Sequence, residues 1–86
     1  MHVILADSND LVRVGIRTIL NSNGGFKIVG EARDKKELLE QIKNFPATVV
    51  VIDYTSAGFD IDVIPKITAL DKNVKILAIT PEQSAQ

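Results

Sequence analysis

Short apolar runs alternate with helix-type apolar spacing along the chain, and this alternation constrains the fold more than any other feature of the sequence. Residues 2–6, 26–32, 49–52 and 75–79 have the length and apolar content of strands. Between them, apolar residues recur every three or four positions, as they do on one face of a helix. Strands that alternate with helices form βαβ units, and these build a parallel sheet covered by helices. The sequence therefore predicts an α/β fold.

Three helices are predicted between these strands. Their apolar positions are Val12, Ile16, Ile19 and Leu20 in the first helix, Leu38, Leu39, Ile42 and Phe45 in the second, and Ile64, Ile67 and Leu70 in the third. Good N-capping residues occupy positions 8–10, ahead of the first helix. Asp34 and Glu37 have the spacing of a capping box ahead of the second helix, which Pro46 ends.

Size and charge exclude several classes of protein. The 86 residues allow one small domain. Ten Lys and Arg against eleven Asp and Glu leave no strong cationic field, so we expect no direct contact with nucleic acid. The chain has no cysteine, which excludes disulfides and thiolate zinc sites. No apolar run approaches the ~20 residues of a membrane span and no secretory signal follows Met1, so we expect a cytoplasmic protein without membrane contact.

The last residues have the pattern of a helix that has just begun. Thr80 and Pro81 resemble an N-cap followed by proline at the first helical position, and the sequence stops at Gln86. We therefore expect residues 1–86 to be a fragment of a longer protein. A fourth strand with no further neighbour leaves an open sheet edge, which predicts self-association by edge pairing or by exchange of an element between protomers.

Polar residues follow three of the predicted strands. They are Asp7, Asp53 and Thr80. Ligands of open parallel sheets bind at the carboxyl ends of the strands. Asp7 and Asp53 together have the chemistry to hold a hard cation such as Mg²⁺, and a strand-end aspartate beside a metal is a candidate nucleophile toward phosphorus. Each of the three residues also has a plain structural interpretation as a turn residue or a helix cap.

Five segments together resemble a known family. They are VILAD at 3–7, LVRVGI at 11–16, IVGEA at 28–32, VVVID at 49–53 and ILAIT at 76–80. Gly58 and Asp60 fall where the loop after the third strand of the same family has Gly and Asp. The sequence resembles the receiver domains of two-component response regulators, with the NarL/LuxR type as the most similar group. The resemblance runs over all 86 residues but over about the first two-thirds of the family's domain.

The resemblance implies a fold, a function and a set of site residues. The fold would be a flavodoxin-like parallel sheet of order 2-1-3-4, truncated before the fifth strand and the last two helices, and any C-terminal helix-turn-helix DNA-binding domain would also be missing. The protein would be a transcriptional regulator without enzymatic activity of its own. Asp53 would accept a phosphoryl group from a sensor histidine kinase. Asp7, Asp53 and the backbone carbonyl of Thr55 would hold Mg²⁺, and Thr80 would be the switch hydroxyl.

One departure from the family pattern leaves other interpretations open. Ser8 stands where the family usually has a second acid, which is normally a direct metal ligand, so Mg²⁺ binding would be weakened or lost. Asp10 would replace that acid only if the loop bent toward the metal. The alternative function is a degenerate receiver that serves as a dimerisation or docking module without phosphorylation. A minor alternative is a phosphohydrolase of the haloacid-dehalogenase type, although Thr55 occupies the place of its second aspartate.

Overall fold

The computed structural model describes residues 1–47 and 49–79, which alternate between strand and helix as the apolar pattern predicts. In chain order the elements are β1 (His2–Ala6), α1 (Asp10–Asn21), β2 (Lys27–Ala32), α2 (Lys35–Asn44), β3 (Val49–Ile52), α3 (Val63–Leu70) and β4 (Lys75–Ala78). Strands β2 and β4 are each one residue shorter than predicted. Thr80 lies outside the described residues.

The four strands form one parallel sheet in the order β2-β1-β3-β4, which confirms the predicted order. Ala6 pairs with Ala32 on one side and with Ile52 on the other, and Ile52 pairs in turn with Ala78. The last residues of all four strands therefore form a single row across the sheet. The residues that directly follow the strands therefore begin at the same edge of the sheet.

The pairing of β1 with β2 contains one irregularity. Val3 pairs with Ile28, but Ile4 pairs with Gly30, so Val29 is an extra residue in β2. A side chain at Gly30 would collide with the side chain of Gln41 from α2. The glycine therefore leaves room for the end of the Gln41 side chain.

Helices α2 and α3 cover one face of the sheet, and this face has a closed apolar core. The fully buried side chains there include Ile4, Ala32, Leu38, Val50, Ile52, Val63 and Ile67. The opposite face is covered by α1. Its buried cluster is smaller and consists of Val3, Leu5 and Val51, with Ile16 and Leu20 of α1 only partly buried against it.

Polar side chains fix the starts of the first two helices. Asn9 is the N-cap of α1, and its side-chain oxygen accepts hydrogen bonds from the amides of Leu11 and Val12 at 2.9 and 3.2 Å. Asp34 caps α2 by accepting from the amide of Glu37 at 2.8 Å, as the capping-box spacing predicts. The Glu37 carboxylate reaches back to the amide of Arg33 at 2.7 Å.

Several apolar positions of the predicted helices face solvent. Ile19, Phe45 and Leu70 are exposed, whereas Val63, which we did not place in the core, is fully buried. Ile19 lies in the last turn of α1, Phe45 is the C-cap of α2 and Leu70 is the last residue of α3. The apolar period located the helices and most of the positions that they bury, such as Leu38 and Ile67, but it also included exposed positions such as Val12.

Candidate functional site

A groove of about 380 Å³ opens at the carboxyl edge of the sheet, beside α1 and the ends of β1 and β3. Both predicted carboxylates, Asp7 and Asp53, line it. Each follows one member of the Ala6–Ile52 register pair, so neighbouring parallel strands deliver the two side chains to the same point. The apolar part of the wall is Leu5, Val12, Ile16, Val51 and Ile79.

Asp7 is buried and held at three atoms. Its amide donates to the Ala32 carbonyl at 3.1 Å, and its own carbonyl accepts from Arg13 at 2.6 Å. The carboxylate Oδ1 accepts from the amide of Asn9 at 2.7 Å. Asp7 therefore shapes the β1–α1 loop in addition to lining the groove, so the turn-forming interpretation is correct for part of its carboxylate.

Asp53 is half-buried, and its amide donates to the Ala6 carbonyl at 3.2 Å, which continues the ladder between β1 and β3. Its carboxylate Oδ1 accepts from both the amide and the hydroxyl of Thr55, at 2.9 and 2.5 Å. Thr55 is exposed and lies outside the set of residues that line the groove. The structure thus brings Asp7 and Asp53 to one groove, and Thr55 contacts the Asp53 carboxylate without lining the groove.

Two serines join the loops that carry these aspartates. The Ser8 amide lies 3.4 Å from the Ser56 hydroxyl oxygen, and that hydroxyl donates to the Asp53 carbonyl at 2.8 Å. Asp10, the residue considered as a replacement for the second acid, forms an ion pair with Arg13 while most of its side chain is exposed. This ion pair orients the Asp10 carboxylate toward Arg13.

Arg13 is the site residue that the sequence analysis missed. It is 8% exposed and lines the groove. The buried or half-buried residues of α1 are Arg13, Ile16, Arg17 and Leu20, a spacing of three, one and three that follows one helical face. Apolar periodicity does not detect the two arginines on that face, because it counts only apolar residues. An available signal was Glu31, the acid in β2 that both arginines contact.

Glu31 joins the two arginines to the sheet. Its carboxylate accepts from Arg17 Nε and Nη2 at 2.7 and 2.9 Å, and from Arg13 Nε at 3.2 Å. The hydrogen bond and charge of Arg17, helped by Arg13, hold the pKa of Glu31 below its ordinary value against the opposing effect of burial. The same contact raises the pKa of the Arg17 guanidinium. These groups stay charged at neutral pH and tie α1 to β2 near the groove.

The donor chemistry of the groove fits a hydrated magnesium ion. Mg²⁺ in proteins is commonly bound by one or two carboxylates and keeps several waters, and Asp7 and Asp53 supply two carboxylates from neighbouring strands. Within residues 1–47 and 49–79, no group of three or more His, Cys, Asp or Glu side chains converges on one metal position. The groove thus offers the two carboxylates of Asp7 and Asp53 to such an ion.

Comparison with known proteins agrees with this geometry. No family model matches the chain. Over 81 residues it is 33% identical to the response regulator UvrY of Escherichia coli K12, a match that covers 93% of this chain and 37% of UvrY. The chain is homologous to response regulators. It spans less than two-fifths of the length of this curated relative.

Solved receiver structures have the same fold. The isolated REC domain of RcsB from Salmonella enterica serovar Typhimurium, solved with the phosphomimetic BeF3−, matches with a TM-score of 0.89 at 27% identity, over 98% of this chain and 64% of that chain. The CheX–CheY–BeF3−–Mg²⁺ complex of Borrelia burgdorferi matches with a TM-score of 0.88 at 26% identity, over 100% and 66% of the two chains. The predicted receiver fold is therefore confirmed, as a parallel sheet of order 2-1-3-4 with three helices in the described residues.

No helix in the described part of the chain combines the length and the apolar character needed to cross a membrane.

Proposed function

We propose that this chain is the signal receiver of a transcriptional response regulator and accepts a phosphoryl group on Asp53. The observation that carries the proposal is the register of β1 with β3, which sets Asp7 and Asp53 side by side on one groove in a chain homologous to response regulators. In the transfer, a carboxylate oxygen of Asp53 forms a bond to phosphorus. The bond from phosphorus to the histidine nitrogen of the kinase breaks, and that nitrogen keeps the electron pair and takes up a proton.

Mg²⁺ is the proposed cofactor, held by Asp7, Asp53 and the carbonyl of Thr55. When bound, the ion neutralises negative charge on the phosphoryl oxygens. The protein contributes a buried, hydrogen-bonded Asp7 and an Asp53 whose Oδ1 accepts hydrogen bonds from Thr55. Thr80 is the proposed switch hydroxyl, and it directly follows Ile79, a residue of the groove wall.

Intact mass measured after incubation with Mg²⁺ and a small-molecule phosphodonor tests the proposal. We expect one phosphoryl adduct on the protein and none on Asp53→Asn. Asp62→Asn is the matched control, because this exposed aspartate makes no side-chain capping bond and lies outside the groove. An adduct that persists in Asp53→Asn would refute Asp53 as the acceptor.

One observation favours a second function, a docking module that works without phosphorylation. Ser8 replaces the second acid and Asp10 is engaged by Arg13, so the groove offers two carboxylates where the family usually offers three. A folded protein that gives no adduct at saturating Mg²⁺ would support this function. The phosphohydrolase alternative has less support, because UvrY and similar relatives are response regulators and Thr55 stands where such enzymes carry an acid.

The proposed partners are a sensor histidine kinase and a second copy of the chain, in the cytoplasm. Leu77 of β4 and the adjoining Ile79 are exposed on the α1 face, which supports self-association through this strand. Sedimentation equilibrium tests it: a weight-average mass that rises with protein concentration is the expected result, and a constant monomer mass would refute it. We propose no contact with DNA for this segment.

A further inference from the structure

Arg13 links the wall of the groove to three other segments. Its side chain, which is 10% exposed, reaches the carbonyl of Asp7 with Nη1, the carboxylate of Asp10 with Nη2 and the carboxylate of Glu31 with Nε. One guanidinium therefore contacts the end of β1, the first turn of α1 and β2. Arginine suits this position because its planar group donates in several fixed directions at once.

Arg13 anchors the backbone of Asp7, which is a proposed metal ligand. The Asp7 carbonyl accepts from Arg13 at 2.6 Å, while the Asp7 amide is held by Ala32 and its Oδ1 by Asn9. With the backbone anchored on both sides, the carboxylate has little freedom to move along the groove. Removing a partner that hydrogen-bonds a ligating side chain commonly changes metal affinity by 10–100-fold, and Arg13 acts on the ligand through its backbone, which places the expected effect at the lower end of that range.

The charge of Arg13 acts in the opposite direction. A cation close to a cation site lowers the affinity for metal by Coulomb repulsion. Asp10 and Glu31 offset this repulsion, since both carboxylates contact the guanidinium. A substitution that removes the charge therefore distinguishes positioning from electrostatics, because the two effects predict opposite changes in metal affinity.

We propose that Arg13 is a positioning residue that holds Asp7 in the geometry that Mg²⁺ requires, and that it thereby sets the preference of the groove for Mg²⁺ over Ca²⁺. This inference rests on the metal site of the proposed function. Mg²⁺ demands near-ideal octahedral geometry, whereas Ca²⁺ accepts flexible and irregular oxygen ligands. Loosening Asp7 therefore weakens Mg²⁺ binding much more than Ca²⁺ binding.

Titration with each metal ion alone, at constant ionic strength, provides the test. Isothermal titration calorimetry measures the affinity for each ion, because Tyr54, the single tyrosine of a chain without tryptophan, packs against the apolar core on the α2 and α3 face and does not line the groove. We expect Arg13→Met to lower Mg²⁺ affinity about tenfold and to change Ca²⁺ affinity by less than about twofold. Arg13→Lys keeps the charge but not the planar group, and we expect a smaller loss of Mg²⁺ affinity in the same direction.

Arg17→Met is the matched control. Arg17 contacts the same Glu31 carboxylate as Arg13, and Arg13 alone of the two contacts Asp7. We expect its Mg²⁺ to Ca²⁺ affinity ratio to equal that of the unaltered protein. Far-UV circular dichroism establishes that each variant is folded.

Three results overturn the inference. If Arg13→Met binds Mg²⁺ more tightly, the residue acts by its charge or by its ion pair with Asp10, and not by positioning Asp7. If both variants at position 13 fold and keep the original affinity ratio, Arg13 has a structural role alone. If the unaltered protein binds neither ion, the proposed metal site itself fails, and this outcome is distinct because it appears before any variant is made.

Discussion

The two faces of the sheet are built in different ways. On the face covered by α2 and α3, interdigitated apolar side chains such as Leu38 and Ile67 are completely buried. On the α1 face, Ile16 is only partly buried, and α1 is joined to the sheet by Arg13 and Glu31. The first face supplies most of the apolar burial, whereas the second leaves a groove open beside Asp7 and Asp53. Stability and site are therefore carried by opposite sides of one sheet.

Truncation of one apolar side chain on each face should give the largest difference in stability between the two faces. Leu38→Ala removes a fully buried side chain, and we expect a loss of about 3 kcal/mol in the free energy of unfolding. Ile16→Ala removes a partly buried one, and we expect a loss of about 1 kcal/mol. Urea denaturation followed by circular dichroism measures both values.

A domain of this size has a small stability margin, so Leu38→Ala leaves a short folded baseline for the urea measurement. Leu38→Val provides a milder second point, with an expected loss of about 1 kcal/mol. Equal losses of unfolding free energy in Leu38→Ala and Ile16→Ala would show that the two faces contribute equally to stability.

The same contrast explains what the sequence predicted well. Apolar runs and β-branched content located all the strands that the structure describes, because strand burial on two faces requires continuous apolar residues. The strand-end rule located Asp7 and Asp53, because parallel strands aligned in register bring their ends to one edge. Local sequence patterns were sufficient to predict the apolar strands and the positions of residues that directly follow a strand.

Polar contacts between distant segments were not predictable in this way. Arg13 is buried because Glu31, eighteen positions along the chain, faces it from β2, and that depends on a register that no local pattern displays. The bridge from Ser8 through Ser56 to Asp53 spans 48 positions and depends on how two loops fold over the same edge. Such contacts follow from the assembled sheet, and they concentrate at the groove.

Substitutions at two glycines test the difference between the two faces with stability changes of intermediate size. Gly58 has φ +84°, and a Cβ there would lie 3.0 Å from Cβ of Asp34 at the start of α2. The Gly58 carbonyl also accepts from the amide of Lys35 at 2.9 Å, so this glycine joins the loop after Asp53 to the closed face. We expect Gly58→Ala to cost about 2 kcal/mol of unfolding free energy.

Gly15 is the matched position on the other face. It lies within α1, and a Cβ there would meet no atom within 4 Å. We expect Gly15→Ala to raise the free energy of unfolding by about 0.5–1 kcal/mol, because alanine favours the helix. Thermal denaturation of the two variants checks the opposite signs. Destabilisation by Gly15→Ala would mean that α1 packs more tightly than the structure indicates.

The smallest expected effect concerns the ionic attachment of α1. Arg17 and Arg13 hold the pKa of Glu31 below its ordinary value of 4.5, so folding favours the ionised carboxylate. The corresponding stability is complete above the pKa of the unfolded chain and is lost as pH falls from about 4.5 through the lower pKa of the folded protein. At pH 7 we expect Glu31→Gln to cost about 1 kcal/mol, a modest value because Arg17 is partly exposed.

Urea denaturation of Glu31→Gln from about pH 7 to about pH 3 tests the size and the sign of this contribution. The stability difference from the unaltered protein should shrink below about pH 4.5 and vanish once Glu31 is protonated in the folded state. Glu40→Gln, an exposed substitution on α2, is the matched control. If the stability difference between Glu31→Gln and the unaltered protein stays constant down to about pH 3, Glu31 attaches α1 through packing and not through charge. Both faces of the sheet would then be held by the same kind of interaction.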